Sequence, residues 1–263
     1  HYLAYEIEKK KEFKDFYDKL EGLIWDEIQA YNSNAKYFQF SEQYNNEDAL
    51  IAINKEMESN PKNLQLYYSK SKILVNLNQY RQVLVLLDIM LENFPKEEKN
   101  IKLIRAYIFK EMKNPEAGLE IINDLINIYP EEKDLLNYKA SWLQYLNKKE
   151  ESLAIIQNLI EQEPNNALYH DTYGEILMFF KDYKQALEEF QRAIDIDKDG
   201  WFIYQTFIKM GICYNVLENF KLAIRFIKKG KENMDKSVSD FDTKRKWMAI
   251  SDLILAEIEQ LNL

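Results

Sequence analysis

The chain has 263 residues, of which 46 % are hydrophobic and 30 % charged, so its composition is that of a folded protein rather than a disordered segment. Its formal charge of −9 disfavours general nucleic-acid binding, because a surface that follows phosphates is usually basic. One cysteine excludes an intrachain disulfide and fits a reducing compartment, which predicts a cytoplasmic protein, and no apolar run is long enough to predict a membrane span.

The N-terminal segment, residues 1–31, has the apolar spacing of an amphipathic helix. Phe13, Phe16, Leu20, Leu23 and Ile24 recur at helical intervals and would share one face. We expect this segment to form an N-terminal capping helix for the array that follows it.

Residues 32–232 show an internal period. Pro61, Pro95, Pro130 and Pro164 follow one another at about 34-residue steps, and one further step reaches Lys198. Each proline follows an apolar periodic segment and precedes a polar turn. The chain has only six glycines and five prolines, which favours long helices over a turn-rich β fold. We expect about six helix pairs, the last ending near Asn233.

Small and large residues also recur at intervals of about 34 residues. With the proline at position 32 of each repeat, position 20 is usually small: Ala49, Val83, Gly118, Ser152, Ala186 and Ala223. Position 24 is large and apolar: Ile53, Leu87, Ile122, Ile156, Phe190 and Ile227. Position 8 includes Gly174 and Gly211. Glycine inside a helix costs about 1 kcal/mol relative to alanine, so we expect these two where helix backbones approach closely.

The fifth and sixth repeats carry a family signature. The fifth reads His170-x2-Tyr173-Gly174-x2-Leu177, followed by Ala186-x3-Phe190, and the sixth reads Phe207-x2-Met210-Gly211-x2-Tyr214. This pattern resembles the tetratricopeptide repeat (TPR), W-x2-L-G-x2-Y followed by A-x3-F and P. The resemblance covers roughly residues 30–232. It implies an all-α, right-handed superhelical solenoid of helix-turn-helix repeats with extra terminal helices.

The resemblance also implies a function. In this family the leading helices of the repeats line a concave groove that takes peptides, so we expect a non-enzymatic protein–protein interaction scaffold that binds a partner peptide. The residues that would face the groove are Tyr68, Lys72, Tyr107, Asn137, Ser141, Gln144, Asp171, Glu175 and Phe179. Tyrosine and asparagine could hold a peptide by packing and hydrogen bonds. Asp171 and Glu175 would favour a basic or amino-terminal group. The alternative for each is ordinary exposed helix surface.

One sub-function of the family can be compared residue by residue. Chaperone-tail binders hold a terminal carboxylate with lysine, asparagine and arginine at fixed positions of three repeats. Repeats two to four carry Tyr68, Lys72, Ile104, Asp134 and Tyr138 there, and repeats four to six carry Asn137, Ser141, Thr172, Gln205 and Lys209. Neither set makes the clamp, so we expect no chaperone-tail binding.

A calcium loop is suggested by the stretch AIDIDKDGW, residues 193–201. Asp195, Asp197, Asp199 and Gly200 match the first half of such a loop, but its twelfth position is Thr206 rather than the required carboxylate. We therefore expect an acidic turn between repeats and no metal site.

No catalytic pattern is present. His170 occupies a packing position of the repeat, so we expect a buried histidine, and the only other histidine is His1. Cys213 has no histidine partner and should be a packed apolar residue. Nucleotide-binding and hydrolase motifs do not occur. We expect no cofactor and no enzymatic activity.

The C-terminal segment, residues 233–263, is expected to be a loop followed by a capping helix or half a repeat, since Trp247-x2-Ile250-Ser251-x2-Ile254 matches the start of another repeat.

Residues 221–246 hold nine basic and four acidic side chains and could contact nucleic acid, an anionic surface or an acidic partner, or be an exposed lysine-bearing helix. Because the chain starts at His1 and ends on a half repeat, a second hypothesis is a regulatory or sensor TPR array of a longer protein with its effector domain elsewhere.

Overall fold

The computed structural model describes residues 46–237 and 241–260, so the predicted capping helix over residues 1–31 lies outside the described residues. In the described part of the chain all regular structure is helical, with twelve α-helices and no strand. The predicted all-α class and its solenoid of helix pairs are confirmed. The chain divides into two compact units, with the boundary between Lys113 and Asn114.

Unit 1, described from residue 46 to residue 113, contains four helices, α1 (Asn46–Ser59), α2 (Leu64–Asn76), α3 (Tyr80–Asn93) and α4 (Glu98–Glu111), with a 3-10 turn at Pro95–Glu97. Helix α2 packs on α1 and α3, and α3 packs on α4. Ala49, Ile53, Leu66 and Ile73 form a core between the first two helices. Asn63 caps α2, since its side chain accepts a hydrogen bond from the Gln65 backbone N–H.

Unit 2, described from residue 114 to residue 260 except 238–240, contains eight helices: α5 (Pro115–Ile128), α6 (Lys133–Leu143), α7 (Lys149–Gln162), α8 (Ala167–Phe179), α9 (Tyr183–Ile196), α10 (Ile203–Val216), α11 (Phe220–Ser237) and α12 (Phe241–Gln260). A 3-10 turn, Gln144–Leu146, extends α6. Each helix packs on the next, and α6 also contacts α8, α8 contacts α10, and α10 contacts α12. These four are the leading helices of the repeat pattern, and they form one layer.

The glycine positions mark the helix crossings that the repeat pattern predicts. A Cβ atom on Gly174 would lie 2.5 Å from the Phe190 ring of the paired helix α9. A Cβ atom on Gly211 would collide with Ile227 of α11. Phe190 and Ile227 are both fully buried, so the predicted small-against-large packing between paired helices is confirmed at these two crossings.

Several turns between successive helices have a backbone conformation that the sequence does not predict. Five non-glycine residues adopt positive φ angles between 55° and 66°: Asn78, Lys113, Asn147, Lys181 and Glu218. After Lys181, the Asp182 backbone N–H donates to the carbonyl of Leu177 at 2.8 Å, which closes the end of α8 in a Schellman motif. Glycine is the usual residue at this position, so these turns hold backbone strain.

Candidate functional site

The groove residues predicted in unit 1 are buried. Tyr68 and Lys72 on α2 and Tyr107 on α4 are each less than one tenth exposed. Burial raises the pKa of the Tyr68 hydroxyl, and the nearby Glu97 carboxylate adds to the effect. The Lys110 ammonium lies 5.0 Å from the centre of the Tyr107 ring. These side chains are therefore held by neighbours within unit 1, and their part in binding a peptide stays a prediction.

Two buried amides distinguish the α6 region of unit 2. Asn137 is 6 % exposed and Gln144 is 4 % exposed, and half-buried Ser141 lies between them in sequence. Their spacing of four and seven residues puts the three on one side of the helix. Within the described residues, Asn137 Oδ1 and Gln144 Oε1 have no hydrogen-bond partner. Leaving such an atom unsatisfied costs about 1–3 kcal/mol, so each of these oxygens is available to accept a hydrogen bond.

Aromatic residues lie at the C-terminal ends of α6 and α8. Tyr145, next to Gln144, meets Phe179 of α8 edge to face with ring centres 6.0 Å apart. Phe179 packs in the same way on Phe180 at 5.1 Å. Trp142 is anchored because its Nε1–H donates to the Pro115 carbonyl at 3.2 Å. Tyr145, Phe179 and Phe180 are only partly buried, so the junction of α6 and α8 combines accessible ring surface with unsatisfied amides.

The two predicted acidic groove residues are paired inside the protein. Asp171, 4 % exposed, accepts hydrogen bonds from Thr206 Oγ1 at 2.7 Å and from Lys209 Nζ at 2.8 Å, and Lys209 also forms an ion pair with Glu175. Burial by itself lowers the pKa of Lys209, but the two carboxylates outweigh it and hold the pKa above its ordinary value. Asp171 and Glu175 were expected to bind a basic group of a partner peptide. In the structure Lys209 of α10 is the basic group that pairs with them.

The sequence reasoning missed Lys209 as the partner of these acids. Lys209 is the only charged residue of α10, which is otherwise apolar or uncharged, and it is 1 % exposed. A single lysine in an otherwise uncharged helix predicts an ion pair with a carboxylate elsewhere in the chain, because a buried ammonium requires one.

His170 is a buried structural residue, as its repeat position predicts. Its Nδ1 lies 2.7 Å from Glu189 Oε2 and its Nε2 lies 3.0 Å from the Pro164 carbonyl. Both neighbours are acceptors, so the ring must carry both protons to satisfy them. The hydrogen bond to Glu189 raises the pKa of His170 and outweighs the opposing effect of burial. Arg192 Nη1 donates to the other Glu189 oxygen at 2.9 Å.

The acidic stretch at residues 195–199 forms a turn, as expected. Asp195 remains within α9, where its carboxylate accepts from Gln191, and Asp197 accepts from the Asp199 backbone N–H at 3.2 Å. Among the described residues no three metal-binding side chains converge.

The single cysteine of the chain is also buried, as expected. Cys213 is fully buried, and burial raises the pKa of its thiol.

In the part of the chain that the structure covers, no helix combines the length and apolar character needed to cross a membrane.

The chain is similar to known repeat proteins. No family model matches it. It is 25 % identical over 119 residues to tetratricopeptide repeat protein 13 of Homo sapiens, covering 44 % of this chain and 14 % of that protein. It is 29 % identical over 99 residues to the TPR repeat-containing protein YpiA of Bacillus subtilis, covering 36 % of this chain and 22 % of that protein. The chain therefore matches less than a quarter of either relative.

A solved structure shows the same fold over most of the chain. A tetratricopeptide repeat protein from Parabacteroides merdae superimposes with a TM-score of 0.50 at 15 % sequence identity, covering 94 % of each chain. The two sequence matches and this likeness of fold agree with the tetratricopeptide repeat resemblance that the residue pattern indicated.

Proposed function

We propose that this tetratricopeptide repeat protein is a non-enzymatic interaction scaffold, and that the leading-helix layer of unit 2 binds a peptide segment of a partner protein. The observation that carries the proposal is the pair of buried, unsatisfied amides of Asn137 and Gln144. The unsatisfied atoms are the two amide oxygens, and the backbone N–H groups of a peptide are donors that such oxygens accept from.

The surroundings of the amides favour an extended peptide with an apolar side chain. Rotation of the two side chains would turn each amide towards a backbone lying across α6 and α8. The half-buried rings of Tyr145 and Phe179 would then contact an apolar or aromatic residue of the peptide. Such a binding mode places the hydrogen bonds along the backbone and the selectivity on the rings.

The neighbouring charges favour a basic residue further along the same peptide. Asp171 and Glu175 together carry two negative charges against the single positive charge of Lys209. The surplus negative charge lies on α8, the helix that also carries Phe179. It would attract a lysine, an arginine or an amino terminus, because electrostatic complementarity selects partners even where it adds little affinity.

The test separates a ligand role of the amides from a structural one. Peptides would be selected on the immobilised full chain from a random phage-displayed library and their affinities measured by calorimetry. The variant Asn137→Leu with Gln144→Met removes both amides at similar volume. The control, Asn127→Leu with Gln185→Met, makes the same chemical changes at exposed positions.

We expect the buried-amide variant to bind selected peptides at least about tenfold more weakly, while the control binds like the wild type. We also expect the unfolding midpoint of the buried-amide variant to equal or exceed that of the wild type, since an unsatisfied polar group is removed. Unchanged peptide affinity in that variant would refute the proposed binding face. A lowered midpoint with unchanged affinity would assign the amides to stability.

A further inference from the structure

Two helices of unit 2 carry exposed stripes of opposite charge. On α5 the acidic stripe consists of Glu116, Glu120 and Asp124, and this helix contains no basic residue. On α11 the basic stripe consists of Lys221, Arg225 and Lys228, all exposed. Two helices lie between them in the repeat pattern. On α9 the exposed side carries both signs, Lys184, Glu188 and Arg192. On α7 the exposed charges are acidic, but they do not recur at three- or four-residue spacing: Glu150, Glu151 and Glu161.

Neither stripe is neutralised within the described part of the molecule. None of the six side chains of the two stripes forms an ion pair or hydrogen bond among the described residues. Like charges three and four residues apart on a helix repel one another, so each stripe destabilises its own helix. The neighbouring Lys231 shows the contrast, because it pairs with Asp252 of α12.

The stripes match in length as well as in sign. The first and last acidic charges are eight residue steps apart, about 12 Å along the helix, and the first and last basic charges are seven steps apart, about 10 Å. One stripe laid along the other would therefore bring three carboxylates to three cations. Neither α7 nor α9 offers such a stripe, since the exposed acids of α7 are not spaced three or four residues apart and the exposed side of α9 mixes both charges.

We propose that the acidic stripe of α5 binds the basic stripe of α11 in a second copy of this chain. A second copy is the one occupant that neutralises both stripes, because each molecule supplies the complement that the other lacks. A nucleic acid would cover only the basic stripe and would meet a chain whose formal charge is −9. Self-association through the stripes does not require peptide binding, which is proposed for α6 and α8.

The association is electrostatic and therefore depends on salt. Exposed ion pairs weaken as the screening length falls from about 10 Å at 0.1 M salt to about 3 Å at 1 M. Analytical ultracentrifugation of the full chain over a concentration series should show reversible association at low salt. Raising the salt to about 0.5 M should weaken it at least about tenfold.

Charge reversal identifies the surfaces. The basic stripe is reversed by Lys221→Glu, Arg225→Glu and Lys228→Glu, and the acidic stripe by Glu116→Lys, Glu120→Lys and Asp124→Lys. The control variant replaces three exposed lysines of unit 1: Lys55→Glu, Lys62→Glu and Lys96→Glu. It changes the net charge by the same amount as the basic-stripe reversal. Circular dichroism would check that each variant keeps its helical content.

We expect either single-stripe reversal to weaken self-association at least about tenfold, because each makes both stripes of the chain alike in sign. An equimolar mixture of the two variants should associate, and the variant with both stripes reversed should recover wild-type association. The control should behave like the wild type. A wild-type chain that is monomeric at low salt up to its solubility limit would overturn the proposal. Failure of the doubly reversed variant to recover, or equal weakening by the control, would also overturn it.

Discussion

Raising the pH should destabilise unit 2 through His170. The ring lies between two acceptors, the Glu189 carboxylate and the Pro164 carbonyl, and it can donate to both only when it is doubly protonated. When it loses a proton, either the Glu189 bond or the Pro164 bond has no donor. The Glu189 bond is charge-assisted, and such bonds contribute about 1.5–3 kcal/mol each. We expect a loss of that size on deprotonation.

The direction follows from the raised pKa of His170 in the folded chain. Below the unfolded value of about 6.5 the ring is protonated in both states, and its stabilising effect is fully present. As the pH rises above 6.5 and through the higher folded pKa, the folded state releases the proton and the stabilisation is lost. Urea unfolding of the full chain from pH 5.5 to pH 8.5 should therefore show a falling free energy of unfolding.

A neutral replacement isolates the effect. In unit 1, Tyr67 makes the corresponding bond, since its hydroxyl donates to the Pro61 carbonyl at 2.9 Å. The variant His170→Tyr with Glu189→Leu should keep the bond to the turn and remove both charges. Replacing a buried ion pair by apolar packing is often close to neutral, so this variant should fold and lose the pH slope. An equal slope in the variant and the wild type would refute the reasoning, as would a flat wild-type profile.

Two further predictions concern the backbone. Gly174→Ala should lower the free energy of unfolding by about 1–3 kcal/mol, because the new Cβ atom meets the buried Phe190 ring at 2.5 Å; an unchanged urea midpoint would contradict the proposed helix crossing. Lys181→Gly should raise the free energy of unfolding by about 0.5–1 kcal/mol, since glycine relieves the positive φ of 66° at a smaller entropic cost. The same substitution at Lys184, inside α9 and exposed, should instead lower it.

The sequence predicted the parts of the fold that depend on spacing. A period of about 34 residues, a small residue such as Gly174 and a large residue such as Phe190 were enough to indicate paired helices and the crossing between them. The positive φ angles were not predicted, because Lys181 and Glu218 give no sign of a left-handed turn. At these positions the packing of the two helices decides the backbone conformation.

The candidate site was less predictable than the fold. Repeat positions indicate which side of a leading helix a residue occupies, but not how closely the next leading helix covers it. Asp171 was expected to face a partner and instead accepts hydrogen bonds from Thr206 and Lys209, because α8 and α10 are in contact. Asn137 and Gln144 were predicted as groove residues, yet their burial without a partner is visible only when the neighbouring helices are in place.

The contrast between these two parts of the leading-helix layer favours α6 over α10 as the proposed binding surface. Between α8 and α10 the polar groups of Asp171 and Lys209 satisfy one another, so a ligand that entered there would have to break a buried ion pair. At α6 the amides of Asn137 and Gln144 are unsatisfied, so a ligand there gains bonds without breaking any. Peptide binding should therefore depend more on α6 than on α10. The charged stripes of α5 and α11 use different side chains, so their reversal should leave peptide affinity unchanged.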